Sequence, residues 1–129
     1  LMSGLMLGLS FPPFHLGFLA LFFLIPLFFI FHISIKLSEK IIFFYIAGFT
    51  SYAIITHWVA LNSGTSVQVA IISYLAICIF YSFYWVLFCL ILHFFKKRKF
   101  SDKIQLLLIP FIWVLIENLR DIGPLAALG

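Results

Sequence analysis

Charged residues are scarce in this chain: 8 Lys and Arg and 4 Asp and Glu occur among 129 residues, of which 65% are hydrophobic. Because small domains leave much of their surface in water, a soluble protein of this length could not bury so much apolar surface. The mean hydropathy of +1.24 therefore predicts an integral membrane protein. Its net charge of +4 does not indicate nucleic-acid binding, because the basic residues form two short clusters between hydrophobic runs, where membrane topology explains them.

Cysteine is almost absent, and Cys78 and Cys89 fall in one predicted helix. Eleven positions separate them (78 to 89), or about 16 Å along a helix, so they cannot form a disulfide with each other. Neither has the neighbouring base or cation that a catalytic thiol requires. No pair of histidines has metal-ligand spacing with a carboxylate or thiolate partner, and no glycine-rich phosphate loop is present. The sequence therefore predicts no metal, no cofactor and no catalytic residue.

The hydrophobic runs predict an all-α, polytopic bundle of transmembrane helices that forms a single domain over residues 1–129. About 20 apolar residues are needed to cross a hydrocarbon layer of about 30 Å. By this measure we predict about four full spanning helices plus a partial N-terminal one, the tail of a helix whose start is missing. The predicted segments are 1–10 (partial) and about 16–35, 41–61, 67–95 and 104–120.

Within these helices, proline and small residues make further predictions. The FPPFH segment reads as a turn that feeds the second helix, which Pro26 should kink. In the third helix, Gly48, Ser51 and Ala53 offer small surfaces for close helix contact.

The distribution of basic residues predicts the orientation. Lys36 and Lys40 lie on one side of the membrane, and alternating crossings place Lys96 to Lys99 and Lys103 on that same side, which gives seven of the eight basic residues. The positive-inside rule makes this side cytoplasmic. Three segments then share the outer face, namely the FPPFH turn, the HWVALNSGT loop and the ENLRDIG end.

The last hydrophobic run ends in a polar cluster. It has 13 residues from Ile104 up to Glu117, or about 20 Å of a layer about 30 Å thick, so Glu117 is predicted to lie below the membrane surface. Trp113, Glu117 and Arg120 are spaced four and three apart, on one helical stripe with Pro110. A charge at this depth costs about 2.5 to 3.5 kcal/mol, so it usually faces protein or a wet cavity.

Two interpretations of this cluster carry equal weight. Glu117 and Arg120 form a structural ion pair that fastens the helix end, or they shape an outer-leaflet pocket for a lipid headgroup or acyl ester. Trp58, beside His57 at the outer loop, is typical of an aromatic belt at the headgroup level.

Three segments, in this order, resemble the N-terminal membrane region of bacterial apolipoprotein N-acyltransferase. They are LSFPPFHLGFLALFFLIPL, HWVALNSGTSVQVAIISYLAICIFY and IPFIWVLIENLRDIGPLA. The family has a proline-containing turn after its first helix, a Trp-Val or Trp-Leu pair ending the third, and a W-x-x-x-E-x-x-R signature ending the fifth. The signature corresponds here to Trp113, Glu117 and Arg120, whereas Ala126 to Gly129 stand where the family usually has a G-F-P-W-type sequence.

The resemblance implies a multi-pass bundle in the bacterial cytoplasmic (inner) membrane that supports a periplasmic nitrilase-like domain. There a Glu-Lys-Cys triad takes an acyl chain from phospholipid as a thioester and passes it to the N-terminal Cys of a lipoprotein. This chain has no residues for that triad, so we expect it to be inactive alone and to need the nitrilase-like domain in cis or in trans. By the resemblance, Trp58, Trp113, Glu117 and Arg120 support the lipid entrance at the periplasmic face.

Two other classes of protein remain open at this stage. One is a small membrane transporter subunit or lipid-binding membrane module that uses the polar outer end for recognition. The other is a purely structural helical bundle, which would tolerate the combined loss of Glu117 and Arg120. What is encoded immediately downstream distinguishes an acyltransferase from a transporter, since the first requires a nitrilase-like domain and the second an ATPase partner or nothing.

Overall fold

The computed structural model describes residues 1–98 and 101–122, and within these ranges it contains helices and no β-strand. The predicted all-α class is therefore confirmed for the described residues. The elements are α1 (Met2–Ser10), a 3-10 helix (Gly17–Leu21), α2 (Leu24–His32), α3 (Leu37–Ile55), α4 (His57–Ala60), α5 (Val67–Lys97) and α6 (Asp102–Ile122).

The chain divides into two compact units, Leu1–Val86 and Leu87–Gly129, and the boundary lies within α5. In the described part of the chain, α3 and α5 are long and apolar enough to cross a membrane, by length and composition only. The number of about four spanning helices is not confirmed by this finding. The remaining crossings stay a prediction.

The structure breaks the continuous helix expected over residues 16–35 into a 3-10 helix and α2. In a regular α-helix the N–H of residue 26 would donate to the carbonyl of residue 22, but Pro26 has no N–H. The Phe22 carbonyl instead accepts a hydrogen bond from the Ile25 N–H at 3.0 Å. The break therefore precedes Pro26, and the proline stands in the first turn of α2, where its missing donor costs least.

The helix α3 begins four residues earlier than the hydrophobic run suggests (Leu37 instead of Ile41), because Glu39 accepts a hydrogen bond from the Lys36 backbone N–H at 3.3 Å. Lys40, expected in the connection, is thereby placed in the first helical turn and is only 6% exposed. Its ammonium donates to the Phe31 carbonyl at 2.5 Å and lies 4.9 Å from the centroid of the Phe31 ring. A cation near the carbonyl end of a helix is favourable, so Lys40 fastens α2 to α3.

The helices α1 and α3 run parallel and approach closely through two glycines of α1. A Cβ built on Gly4 would collide with the Ala47 carbonyl, and one built on Gly8 would lie 2.8 Å from the Ile54 Cβ. Glycine has no side chain to hold the two backbones apart. Because residue 4 meets residue 47 and residue 8 meets residue 54, the carboxyl ends of both helices lie at the same end of the first unit.

The first part of α5 packs antiparallel to α3. Near one end the Tyr74 hydroxyl donates to the Ala53 carbonyl at 2.9 Å, and further along Gly48 lies against Trp85. The FPPFH turn follows α1 and the HWVALNSGT loop follows α3, so the two segments lie at one end of this unit. The Lys36 connection lies at the other end.

Candidate functional site

The helix α6, in the second unit, has a buried face and an exposed face that is also apolar. The buried residues recur at helical spacing: Gln105, Ile109, Ile112, Trp113 and Ile116. The exposed large side chains on the rest of the helix include Leu107, Phe111, Val114, Leu115 and Leu119. A helix with apolar residues on both faces suits an element that packs on protein on one side and meets lipid on the other.

Trp113 lies on the buried face and is 9% exposed. Its ring packs against Phe88 of α5 with centroids 5.4 Å apart and an interplanar angle of 81°. This edge-to-face arrangement is the one that aromatic quadrupoles favour. Trp113 therefore fixes the rotation of α6 about its axis one turn before Glu117, because its ring holds α6 against α5.

Glu117 and Arg120 form an ion pair, with 2.8 Å between Glu117 Oε2 and Arg120 Nη1. Each side chain is 30% exposed, so the pair is accessible from outside the protein although most of its surface is covered. The spacing of three residues on a helix brings the two side chains together. Arginine presents five N–H donors in a planar fork, which suits the oxygens of a phosphate or an ester.

Other polar residues of the cluster are held differently. The Asn118 side-chain amide donates to the Val114 carbonyl at 2.8 Å, within its own helix, and is exposed. The side chain of Asp121 and residues 123–129 lie outside the part of the chain that the structure describes. The polar group that the structure describes at this end of α6 is thus the Glu117–Arg120 pair with Asn118 beside it.

Trp58 belongs to the first unit, where it lies on the short helix α4 and is 58% exposed. The ring of the preceding His57 is tied to the chain, since its Nδ1 lies 2.8 Å from the Ile54 carbonyl oxygen. An exposed tryptophan at the end of an apolar helix is typical of a membrane interface. Of the four residues singled out from the sequence, the structure places Trp113, Glu117 and Arg120 together on α6 and Trp58 in the other unit.

A second polar cluster, in the first unit, has no signal in the sequence. The Thr56 hydroxyl donates to the Tyr52 carbonyl at 2.7 Å and lies 3.7 Å from the Cys78 sulfur, and Cys78 is fully buried. The full burial of Cys78 suits a free cysteine that packs as a small hydrophobic side chain. The contact joins residues 22 positions apart, one just after α3 and the other within α5, so no local pattern could have indicated it.

Among the side chains that the structure describes, no three from His, Cys, Asp and Glu are grouped so that they could hold a metal ion.

Comparison with known protein families gives a match over almost the whole chain. The model of a protein family described as "Apolipoprotein N-acyltransferase N-terminal domain" matches residues 3–128. No curated protein and no solved structure matches the chain significantly.

Proposed function

The chain belongs to the family of apolipoprotein N-acyltransferase N-terminal domains, and from this premise we propose that it is the membrane-embedded part of such an enzyme. The enzyme would transfer an acyl chain from phospholipid to the N-terminal Cys of a lipoprotein. The observation that carries the proposal is the family match over residues 3–128, which includes all three segments of the resemblance.

The proposed location is the bacterial cytoplasmic (inner) membrane, crossed several times, with the basic loops in the cytoplasm. Its support in the first unit is geometric. The FPPFH turn and the HWVALNSGT loop share one end, and the Lys36 connection lies at the opposite end, as the positive-inside rule requires if that end is cytoplasmic. Two helices of sufficient length and hydropathy support membrane insertion.

The proposed role of this chain is to present lipid to a catalytic centre located elsewhere. A nitrilase-like domain, in cis or in trans, would provide the Glu-Lys-Cys triad, the acyl thioester and the transfer to the amine. No residue of this chain is assigned to catalysis.

Trp58, Trp113, Glu117 and Arg120 form the proposed support of the lipid entrance. The two opposite charges of the Glu117–Arg120 pair offset each other, which lowers the cost of placing them near hydrocarbon. At 30% exposure the guanidinium remains within reach of phosphate or ester oxygens. Trp113 sets the orientation of this turn through Phe88, and the exposed Trp58 suits contact with lipid at the interface.

An acyl-transfer assay tests whether this chain supports catalysis by a separate domain. The purified chain is supplied with phospholipid and a lipoprotein peptide, alone and then with a nitrilase-like domain, and the mass of the peptide is measured. We expect acylated peptide only when the catalytic domain is present and more of it when the membrane chain is present as well. Acyl transfer by the chain alone would refute its proposed supporting role, and no gain over the catalytic domain alone would refute its participation.

Charge-swap variants separate recognition from structural pairing at Glu117 and Arg120. A charged hydrogen bond contributes about 1.5 to 3 kcal/mol, so Glu117→Gln should lower acyl transfer about 10- to 100-fold. The double variant Glu117→Arg/Arg120→Glu retains an ion pair in reversed order and should not restore activity if the guanidinium must stand at residue 120. Restored activity would instead assign the pair to structure alone. Asn118→Ala is the matched control, because Asn118 is an exposed neighbour that bonds within its own helix.

A further inference from the structure

The carboxyl end of α5 combines exposed positive charge with an exposed apolar stripe. Leu87, Leu90 and Phe94 are exposed large hydrophobic side chains, and the stripe ends at the exposed Arg98. Their spacing of three, four and four residues keeps all four on one face of the helix. The eleven steps along the helix from residue 87 to residue 98 correspond to about 16 Å.

Arg98 is held at the head of this stripe by two contacts with Phe94. Its backbone N–H donates to the Phe94 carbonyl at 3.1 Å, which continues the helical hydrogen bonding past Lys97. Its guanidinium lies 5.2 Å from the centroid of the Phe94 ring, which is 53% exposed. This cation–π contact places a positive charge directly beside apolar surface that faces outward.

Further positive charge stands near Arg98 in the sequence. Lys96 and Lys97 are exposed in the last turn of α5, and the exposed Lys103 stands in the first turn of α6. The sequence adds Lys99, so that five basic residues occur within eight positions from 96 to 103. Adjacent like charges repel each other, so an anion that binds here relieves repulsion as well as forming new contacts.

We propose that this surface, the Leu87–Leu90–Phe94 stripe with Arg98 at its head, binds one anionic phospholipid of the leaflet that faces the basic loops. The acyl chain lies along the stripe and the headgroup phosphate meets the Arg98 guanidinium, with Lys96 and Lys97 adding attraction. This lipid is a bound structural ligand and is distinct from the acyl donor of the proposed function. About 21 Å of helix separates Lys103 from Glu117, fourteen residues further along α6.

The observations favour a lipid over a soluble anion or a nucleic acid, because only a lipid uses both parts of the surface. A free phosphate would use the charges and leave the stripe uncovered. A nucleic acid would need a basic face extended along an element, whereas the charges here cluster at a helix end below 29 residues of almost purely apolar sequence from 67 to 95. Juxtamembrane clusters of four to eight basic residues are typical of anionic-lipid binding.

Photo-crosslinking in a reconstituted bilayer tests the proposal. The chain is placed in phosphatidylcholine nanodiscs that contain a trace of phosphatidylglycerol with a photoreactive acyl chain, and the crosslinked peptides are mapped by mass spectrometry. We expect the phosphatidylglycerol probe to crosslink to the Leu87–Phe94 stripe about fivefold more often than an equivalent phosphatidylcholine probe. A factor of about five is what one basic residue at a membrane surface contributes to the binding of an anionic lipid. The preference should fall as salt is added. Equal crosslinking by the two probes would overturn the proposal.

Single substitutions test whether the preference for phosphatidylglycerol depends on Arg98. Arg98→Gln should reduce the preference for phosphatidylglycerol at the stripe about fivefold, and it leaves four basic residues of the cluster to maintain topology. Arg98→Lys should retain most of the preference. Lys36→Gln is the matched control, since Lys36 is an exposed basic residue in the other cluster and should leave the crosslinks at the stripe unchanged. An equal effect of Arg98→Gln and Lys36→Gln would show general surface charge and not a site.

Discussion

Replacing Gly48 by alanine tests the closest approach between α3 and α5. A Cβ at this position would lie 2.8 Å from both Cδ1 and Cγ of Trp85 and 3.1 Å from the Ser82 Cα. Carbon atoms in favourable contact are about 3.5 to 4.0 Å apart, so the overlap is about 0.7 to 1.2 Å. Trp85 is fully buried and packs edge-to-face on Phe23 with centroids 5.9 Å apart, so its ring has no open space to enter. The two helices must therefore separate.

The magnitude follows from two opposing effects. Overpacking a well-filled interior costs about 1 to 3 kcal/mol, and an overlap with a pinned ring belongs at the upper end of that range. Alanine in a helix interior is favoured over glycine by about 1 kcal/mol. The free energy of opening should fall by about 2 kcal/mol, which raises the open population about 30-fold.

The thiol of Cys78 is a suitable reporter of this opening, because it is fully buried and lies 3.7 Å from the Thr56 hydroxyl at the end of α3. In a Cys89→Ala background it is the single cysteine of the chain. Its rate of reaction with a thiol reagent in detergent, under conditions where closing is faster than labelling, measures the open population. We expect this rate to rise about 30-fold in Gly48→Ala.

Two further variants test whether the contact between Gly48 and Trp85 causes the change in labelling rate. A Cβ built on Gly17 meets nothing within 4 Å, so Gly17→Ala should change the labelling rate by no more than about twofold. In a Trp85→Ala background the overlap with the indole ring is removed and only the 3.1 Å approach to the Ser82 Cα remains, so Gly48→Ala should raise the labelling rate much less, which a double-mutant cycle records as coupling. If Gly48→Ala labels no faster than the parent chain, or if its effect is unchanged without the indole ring, the close contact does not govern the stability of this interface.

Two more substitutions test contacts described above. Lys40→Met should lower the thermal unfolding midpoint, because a charged hydrogen bond to the Phe31 carbonyl contributes about 1.5 to 3 kcal/mol, and an unchanged midpoint would contradict the anchoring role of Lys40. A cycle that combines Trp113→Leu and Phe88→Leu should give a coupling of about 0.5 to 1.5 kcal/mol in the free energy of unfolding, whereas strictly additive effects would show that the edge-to-face contact adds nothing beyond burial.

Sequence reasoning works best where one local cause decides the structure. The run from 67 to 95 contains no Asp, Glu, Lys or Arg, and the observed helix, Val67–Lys97, extends it by two residues at its carboxyl end. The same reasoning identifies Gly48 as a surface for close helix contact, and the structure places it against Trp85. Hydropathy and residue size are properties of single positions, so a sequence displays them directly.

Sequence reasoning fails where a single hydrogen bond decides the structure against the pattern of hydrophobic and charged residues. The run from 16 to 35 reads as one helix. Because Pro26 has no N–H, the Phe22 carbonyl accepts a hydrogen bond from Ile25 instead, and a new helix, α2, begins at Leu24. Lys40 reads as a topology signal because lysine usually is one near a membrane. Its contact with Phe31 depends on how α2 ends and where α3 starts, and neither event is visible at position 40.

The charges of the second unit follow two different physical rules. Glu117 and Arg120 neutralise each other within one helix, so they can stand near hydrocarbon and still offer hydrogen-bond donors to a neutral or anionic group. Lys96, Lys97 and Arg98 are adjacent charges of the same sign, and their mutual repulsion is relieved by anions drawn from outside. Salt should therefore weaken lipid binding at the carboxyl end of α5 more than it weakens any function of the Glu117–Arg120 pair. If acyl transfer and lipid crosslinking at Arg98 fell in parallel as salt increased, the two sites would have to share one electrostatic origin.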